Sequence, residues 1–157
     1  MEFINYLSVL LVSYLGLGVG IALALVAKEE IASGKRFFKF LQNILPVTIV
    51  LITIYFLEFH WLPWILFLGF SVIIIFIKKE RKKAFVTYLL FSVIFWISSQ
   101  PHSFFPVDFL FPIIASLIFL SGFTIGSLLM DIKKRNIFQI MISNIHYVII
   151  SLVLYLI

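Results

Sequence analysis

The sequence contains no cysteine, and only 12% of its 157 residues are charged. Without cysteine there are no disulfides, no thiolate nucleophiles and no Cys-ligated metal sites. The sequence also lacks an H-E-x-x-H motif, a nucleophile elbow and paired carboxylates within its apolar runs, which are patterns that indicate hydrolytic or metal-dependent catalysis. No catalytic residue is therefore predicted, and neither a metal nor a cofactor is expected.

Apolar residues dominate what remains. Hydrophobic residues make up 63% of the chain, and the mean hydropathy is +1.19, which lies far outside the usage of soluble domains. A helix needs about 20 mostly apolar residues to cross the bilayer core, so a chain of this length can hold about six spans and little else. We expect a multi-pass integral membrane protein, located in the cell membrane.

The predicted architecture is an all-α bundle of six transmembrane helices with short loops, forming a single polytopic domain over residues 1–157. The apolar runs place the spans at about 3–27, 41–57, 61–77, 84–97, 109–130 and 137–157. The third and fourth runs are joined by only six charged residues. These two spans are therefore predicted to be adjacent and antiparallel.

All twelve Lys and Arg residues fall in three clusters, at the first, third and fifth connections. Because Lys and Arg concentrate in cytoplasmic loops, this distribution predicts that both termini lie on the outer, non-cytoplasmic side. The clusters could bind anionic lipid headgroups or a partner, or could serve only as topology determinants. The residues assigned to this inner face are Lys35, Arg36, Lys39, Lys78, Lys79, Arg81, Lys82, Lys83, Lys133, Lys134 and Arg135.

Two G-x-x-x-G stripes stand in the first and fifth spans, formed by Gly16 with Gly20 and by Gly122 with Gly126. Glycine removes the side chain and lets helix backbones approach closely within a membrane. We expect both helices to pack tightly, on each other or across an oligomer interface. An ordinary bundle contact and a moving gate or pore seam are both compatible with the pattern.

The sixth span carries a polar stripe of Asn136, Gln139, Ser143 and His146, at positions i, i+3, i+7 and i+10. This spacing predicts one helix face that points away from lipid. The stripe could form a polar path or orient a substrate. Alternatively, it could supply interhelical hydrogen bonds that only fix the packing.

Four residues of the outer face have side chains that can ligate zinc. Glu58, His60, His102 and Asp108 could together supply two imidazoles and two carboxylates. Their spacing does not specify a site, and the neighbouring tryptophans and phenylalanines are typical of an aromatic belt at the membrane interface. No metal site is predicted there.

Three functions fit these features. The first is a non-enzymatic accessory or structural subunit that packs against other membrane proteins or against a second copy of itself. The second is a small oligomeric transporter or channel with a polar path along the sixth helix, and the third is a membrane enzyme acting on a lipid-linked substrate. We expect the first, because it requires only what the sequence offers. Nucleic acid is not an expected partner, since the positive charge lies in short loops against a membrane.

Overall fold

The computed structural model describes residues 2–57, 61–100, 107–132 and 136–157, and nearly all of these residues are helical. The predicted all-helical architecture is thus confirmed for the described part of the chain. The helices are α1 (Phe3–Val26), α2 (Lys28–Leu57), α3 (Trp61–Phe76), α4 (Glu80–Ser99), α5 (Val107–Ile132), α6 (Ile137–Asn144) and α7 (His146–Leu156).

Five stretches of described helix are long and apolar enough to cross a membrane: Phe3–Val26, Ser33–Phe56, Glu80–Ser99, Phe109–Met130 and Ile137–Leu156. These stretches support the predicted class of multi-pass membrane protein. The stretch in α2 starts earlier than the predicted span at 41, because the basic segment before it is helical as well. Lys, Arg and Glu are good helix formers although they end a hydropathy run.

The helix α3 covers nearly the same residues as the predicted third span, which was placed at about 61–77. It has 16 residues, which corresponds to about 24 Å at the rise of an α-helix. It packs mainly on α2, at the edge of the bundle. In the part of α3 whose side chains are described, Ile74 is fully buried whereas Val72 and Ile73 are exposed.

The bundle has α1 and α5 at its centre, with α2 and α4 against α5 and with α7 against α4. Its two ends differ in chemistry. At the basic end, Lys39 of α2 pairs with Glu80 of α4. At the aromatic end, the rings of Tyr6, Phe95 and Phe111 contact one another.

These contacts fix the direction of each helix. Tyr6 is near the start of α1 and Phe111 is near the start of α5, so α1 and α5 run parallel from the aromatic end to the basic end. The helix α2 leaves the basic end and brings Phe56 against Phe109 at the aromatic end. Since Glu80 opens α4 at the basic end, the chain between Phe56 and Glu80 returns from one end to the other.

The predicted sixth span is one apolar stretch, Ile137–Leu156, with a local irregularity at Ile145 that separates α6 from α7. The side-chain amide of Asn144 donates to the carbonyl oxygen of Ile140 at 2.8 Å, and the Ser143 hydroxyl donates to the same oxygen at 2.9 Å. The backbone N–H of Ile145 then bonds to Ile142, three residues back. Asn and Ser side chains that compete for helix carbonyls disturb the regular ladder, and α6 ends here.

Candidate functional site

The two glycine stripes meet each other inside the chain, along the line where α1 crosses α5. A Cβ on Gly16 would clash with the backbone oxygen of Phe119, and a Cβ on Gly20 would clash with that of Phe123. A Cβ on Gly126 would clash with the backbone oxygen of Leu17. Because the obstacles are backbone atoms, no rotamer change could make room for a side chain.

A hydrogen bond crosses this glycine seam. The Ser127 hydroxyl of α5 lies 3.0 Å from the carbonyl oxygen of Gly20 and 2.9 Å from that of Phe123 in its own helix. Such a contact is possible only where the two backbones nearly touch. The seam therefore holds the centre of the bundle together and is filled by the chain's own helices.

The polar stripe of the last span does not face the interior as predicted. Asn136 and Gln139 are exposed, and Ser143 is half-buried and bonded within its own helix. His146 is half-buried at the contact with α4, where its Nε2 lies 3.1 Å from the carbonyl oxygen of Phe85. A carbonyl can only accept, so the imidazole donates this hydrogen bond.

Another face of α6 and α7 points inward, with Ile140, Asn144, Tyr147 and Ser151 buried along it. Tyrosine hydroxyls fasten this face to α1. Tyr147 bonds to Ser13 at 2.8 Å, Tyr6 donates to the carbonyl oxygen of Ser151 at 2.8 Å, and Tyr14 donates to that of Met141 at 2.6 Å. The aromatic rings at these positions, not the predicted stripe, decide how the last span is rotated.

Most of the described basic side chains lie on or near the surface of the bundle. Arg36, Lys78, Lys79 and Lys82 are exposed, and Lys35 is half-buried. Residues 133–135, the third basic cluster, lie outside the described residues.

Lys83 is the exception and corrects the prediction for that position. Its side chain is only 6% exposed and bonds to the Oδ1 of Asn43 on α2. Because α4 already begins at Glu80, Lys83 lies within its first turn and faces a neighbouring helix rather than the headgroups.

Next to Lys83, the core contains polar atoms with no hydrogen-bond partner among the described residues. They belong to the side chains of Gln42, Thr87, Tyr88 and Ser121. Each of these side chains is at most 1% exposed. An unpartnered buried polar group is costly, and in native proteins it marks an unseen water, an ion or a functional site.

Two local contacts relate these side chains to the neighbouring helices. Lys83 is one turn before Thr87 on α4 and bonds to Asn43, which follows Gln42 on α2. The hydroxyl of Tyr88 lies 3.0 Å from where a Cβ of Gly122 would stand, and Gly122 follows Ser121 on α5. We call Gln42, Lys83, Thr87, Tyr88 and Ser121 the buried polar layer; these buried side chains lie on α2, α4 and α5.

The sequence held a signal for this layer that hydropathy does not use. Gln42 and Asn43 are adjacent amides inside an apolar run, and Thr87 follows Lys83 at i+4. Spacing of this kind predicts a shared helix face. It does not predict which helix that face meets.

The surface of the bundle also has a groove and a cleft. A groove of about 580 Å³ between α1 and α5 is lined mainly by small and apolar residues, including Val12, Pro112 and Ala115. A cleft of about 460 Å³ near the basic end is lined by Arg81, Phe138, Gln139, Ile142 and Ser143.

The zinc hypothesis falls outside what the structure describes. Glu58, His60 and His102 lie in the undescribed connections, and the Asp108 side chain is likewise not described. Within the described ranges, no three His, Asp or Glu side chains come together as a metal site would require.

Comparisons with models of known protein families, with curated protein sequences and with solved structures find no match to this chain.

Proposed function

We propose that the protein crosses the cell membrane six times, with both termini outside and the basic end in the cytoplasm. The parallel course of α1 and α5 supports this topology, because two parallel spans must be separated by an odd number of crossings. With α2 and α4 as two of them, α3 supplies the third. The basic side chains at the end where Lys39 meets Glu80 set the orientation.

The proposed function is that of an accessory or structural subunit that packs against another membrane protein and carries out no chemistry itself. The observation that carries this proposal is the exposed apolar flank of α3. This helix is supported mainly by α2, and its flank with Val72, Ile73 and Phe76 is exposed. The apolar run of this span, 61–77, lies between His60 and Lys78, and its length of about 26 Å as a helix is shorter than the hydrocarbon core of about 30 Å. A short span of this kind favours association with a neighbouring helix.

The interior also favours a packing role over conduction. Tyr88, Phe91, Phe95 and Tyr147 are fully buried in the described bundle. Their rings contact one another, with centroids 5.5 to 6.1 Å apart. These aromatic side chains fill the interior from Tyr88 to Phe95 at the aromatic end.

Photo-cross-linking in native membranes tests the accessory function. A benzophenone side chain in place of Ile73 on α3 is expected to give one discrete cross-linked product of fixed mass. The matched control replaces Ile149 on α7, which is similarly exposed, at 53% against 56%. Equal labelling from both positions, or only lipid adducts from Ile73, would contradict a partner on α3.

The buried polar layer favours a second candidate function, the transport of a small polar solute. Polar groups within spans commonly line substrate paths. A path based on this layer would run between α2, α4 and α5. The path suggested by the sequence ran instead along the sixth span.

Proteoliposomes test transport directly, with glycerol as the solute and light scattering as the measure of swelling. A transporter is expected to swell the vesicles faster than empty liposomes, and Gln42→Leu should reduce that excess. Ser8→Ala, which changes an exposed polar side chain on α1, serves as the control. Swelling rates equal to those of empty liposomes would contradict the transport function and leave only the packing role.

A further inference from the structure

The cleft at the basic end joins two features that are far apart in the sequence. Arg81 comes from the second basic cluster, whereas Gln139 and Ser143 come from the predicted polar stripe. Phe138 and Ile142 line the same cleft and are 68% and 50% exposed. One cavity therefore presents a cation and polar groups beside apolar side chains that face outward.

The polar side of the cleft has free donors. Neither the Arg81 guanidinium nor the Gln139 amide has a hydrogen bond or ion pair within the described part of the chain. Glu80, the nearest acid in the chain, instead turns toward Lys39 on α2, at 3.7 Å. The guanidinium fork matches a phosphate in a bidentate manner, and the amide N–H₂ can donate alongside it.

We propose that this cleft is a binding site for one anionic phospholipid from the leaflet at the basic end. The phosphate of the headgroup lies between Arg81 and Gln139, and the start of an acyl chain lies along Phe138 and Ile142. The amphipathic lining selects this occupant, because a soluble phosphate compound would gain nothing from the apolar residues. Exposed Lys78 and Lys79 at the start of α4 add to the attraction for anionic lipid. The site is independent of the proposed partner on α3.

Native mass spectrometry of the purified full-length protein tests the proposal, with phosphatidylglycerol and phosphatidylcholine as probes. We expect one tightly retained phosphatidylglycerol per chain and at least about tenfold weaker retention of phosphatidylcholine. Arg81→Gln should weaken phosphatidylglycerol binding about tenfold. The matched control Lys82→Gln removes a neighbouring exposed charge outside the cleft and should change it less than about threefold.

A second variant, Gln139→Leu, keeps the test independent of charge and should also weaken binding. Both variants change exposed side chains, and size-exclusion chromatography checks that they remain folded. Equal losses in Arg81→Gln and Lys82→Gln would overturn the site in favour of diffuse attraction to the basic end. Displacement of the lipid by millimolar inorganic phosphate would overturn the lipid as its occupant.

Discussion

At Gly16 and Gly20 the contact between the two central helices depends on the absence of a side chain. The facing atoms are the backbone oxygens of Phe119 and Phe123, which cannot rotate away. In a membrane, apolar side chains gain little by leaving lipid, so close backbone contact is a main source of helix association. The seam between α1 and α5 is thus sensitive to a single methyl group.

We predict that Gly16→Ala lowers the free energy of unfolding by about 1–3 kcal/mol, as overpacking does in other protein interiors. The control is Gly18→Ala on the same helix, where the added Cβ would meet only Met141 Cε, at 3.9 Å. That change should be neutral or slightly stabilising, since alanine is the better helix former. Denaturation in detergent micelles measures the free energy of unfolding of both variants. Equal values for Gly16→Ala and Gly18→Ala would show that the seam is not tight.

Among the helices, the last span is held differently from the central pair. Only 22% of its apolar window is buried inside the bundle, and few of its residues pack against α1. The span packs on α4, and hydrogen bonds from the hydroxyls of Tyr6 and Tyr14 to its carbonyl oxygens attach it to α1. The carbonyl that Tyr14 bonds, that of Met141, lies just before the irregularity at Ile145.

We predict that the double change Tyr6→Phe and Tyr14→Phe loosens α6 and α7 while leaving the central helices intact. Hydrogen bonds between membrane helices contribute roughly 0.6–1.7 kcal/mol each, so amide exchange over 137–156 should speed up by several-fold or more. Tyr55→Phe is the control, because that side chain is 73% exposed. Unchanged exchange in the double variant would assign the docking of this span to ring packing alone.

For the molecule as a whole, the decisive property is its topology. The proposed topology assigns one crossing to α3, on the directions of α1, α2, α4 and α5. The absence of native cysteine makes this testable without background labelling.

We predict that cysteines at Glu2 and at Ile157, both exposed, react with a membrane-impermeant maleimide in intact cells. A cysteine at Lys79, also exposed, should react only after the membrane is permeabilised. Labelling of Lys79→Cys in intact cells would overturn the orientation. Labelling of the two termini from opposite sides would overturn the even number of crossings.

The sequence predicted the helices well wherever the signal is local. The first span was expected at about 3–27 and the helix is Phe3–Val26, and the fifth was expected at about 109–130 and the apolar stretch is Phe109–Met130. Hydropathy succeeds here because each span must be apolar whatever its neighbours are. It failed at the start of α2, because charged residues can be helical without being apolar.

Rotation of each helix about its axis was not predictable in the same way. Gln139 was expected to point inward and is exposed, whereas Lys83 was expected at the headgroups and is buried against Asn43. Which face points inward depends on residues of other helices, such as Tyr14 for the last span. No pattern within one span contains that information.

The all-helical character and the apolar spans follow from local sequence, because the hydropathy and length of each segment are local properties. The contact between the glycine stripes, the burial of Lys83 and the cleft that Arg81 shares with Gln139 are properties of the folded bundle. Each of these depends on the packing of helices from distant parts of the chain, since side chains on separate helices meet only once the bundle has formed.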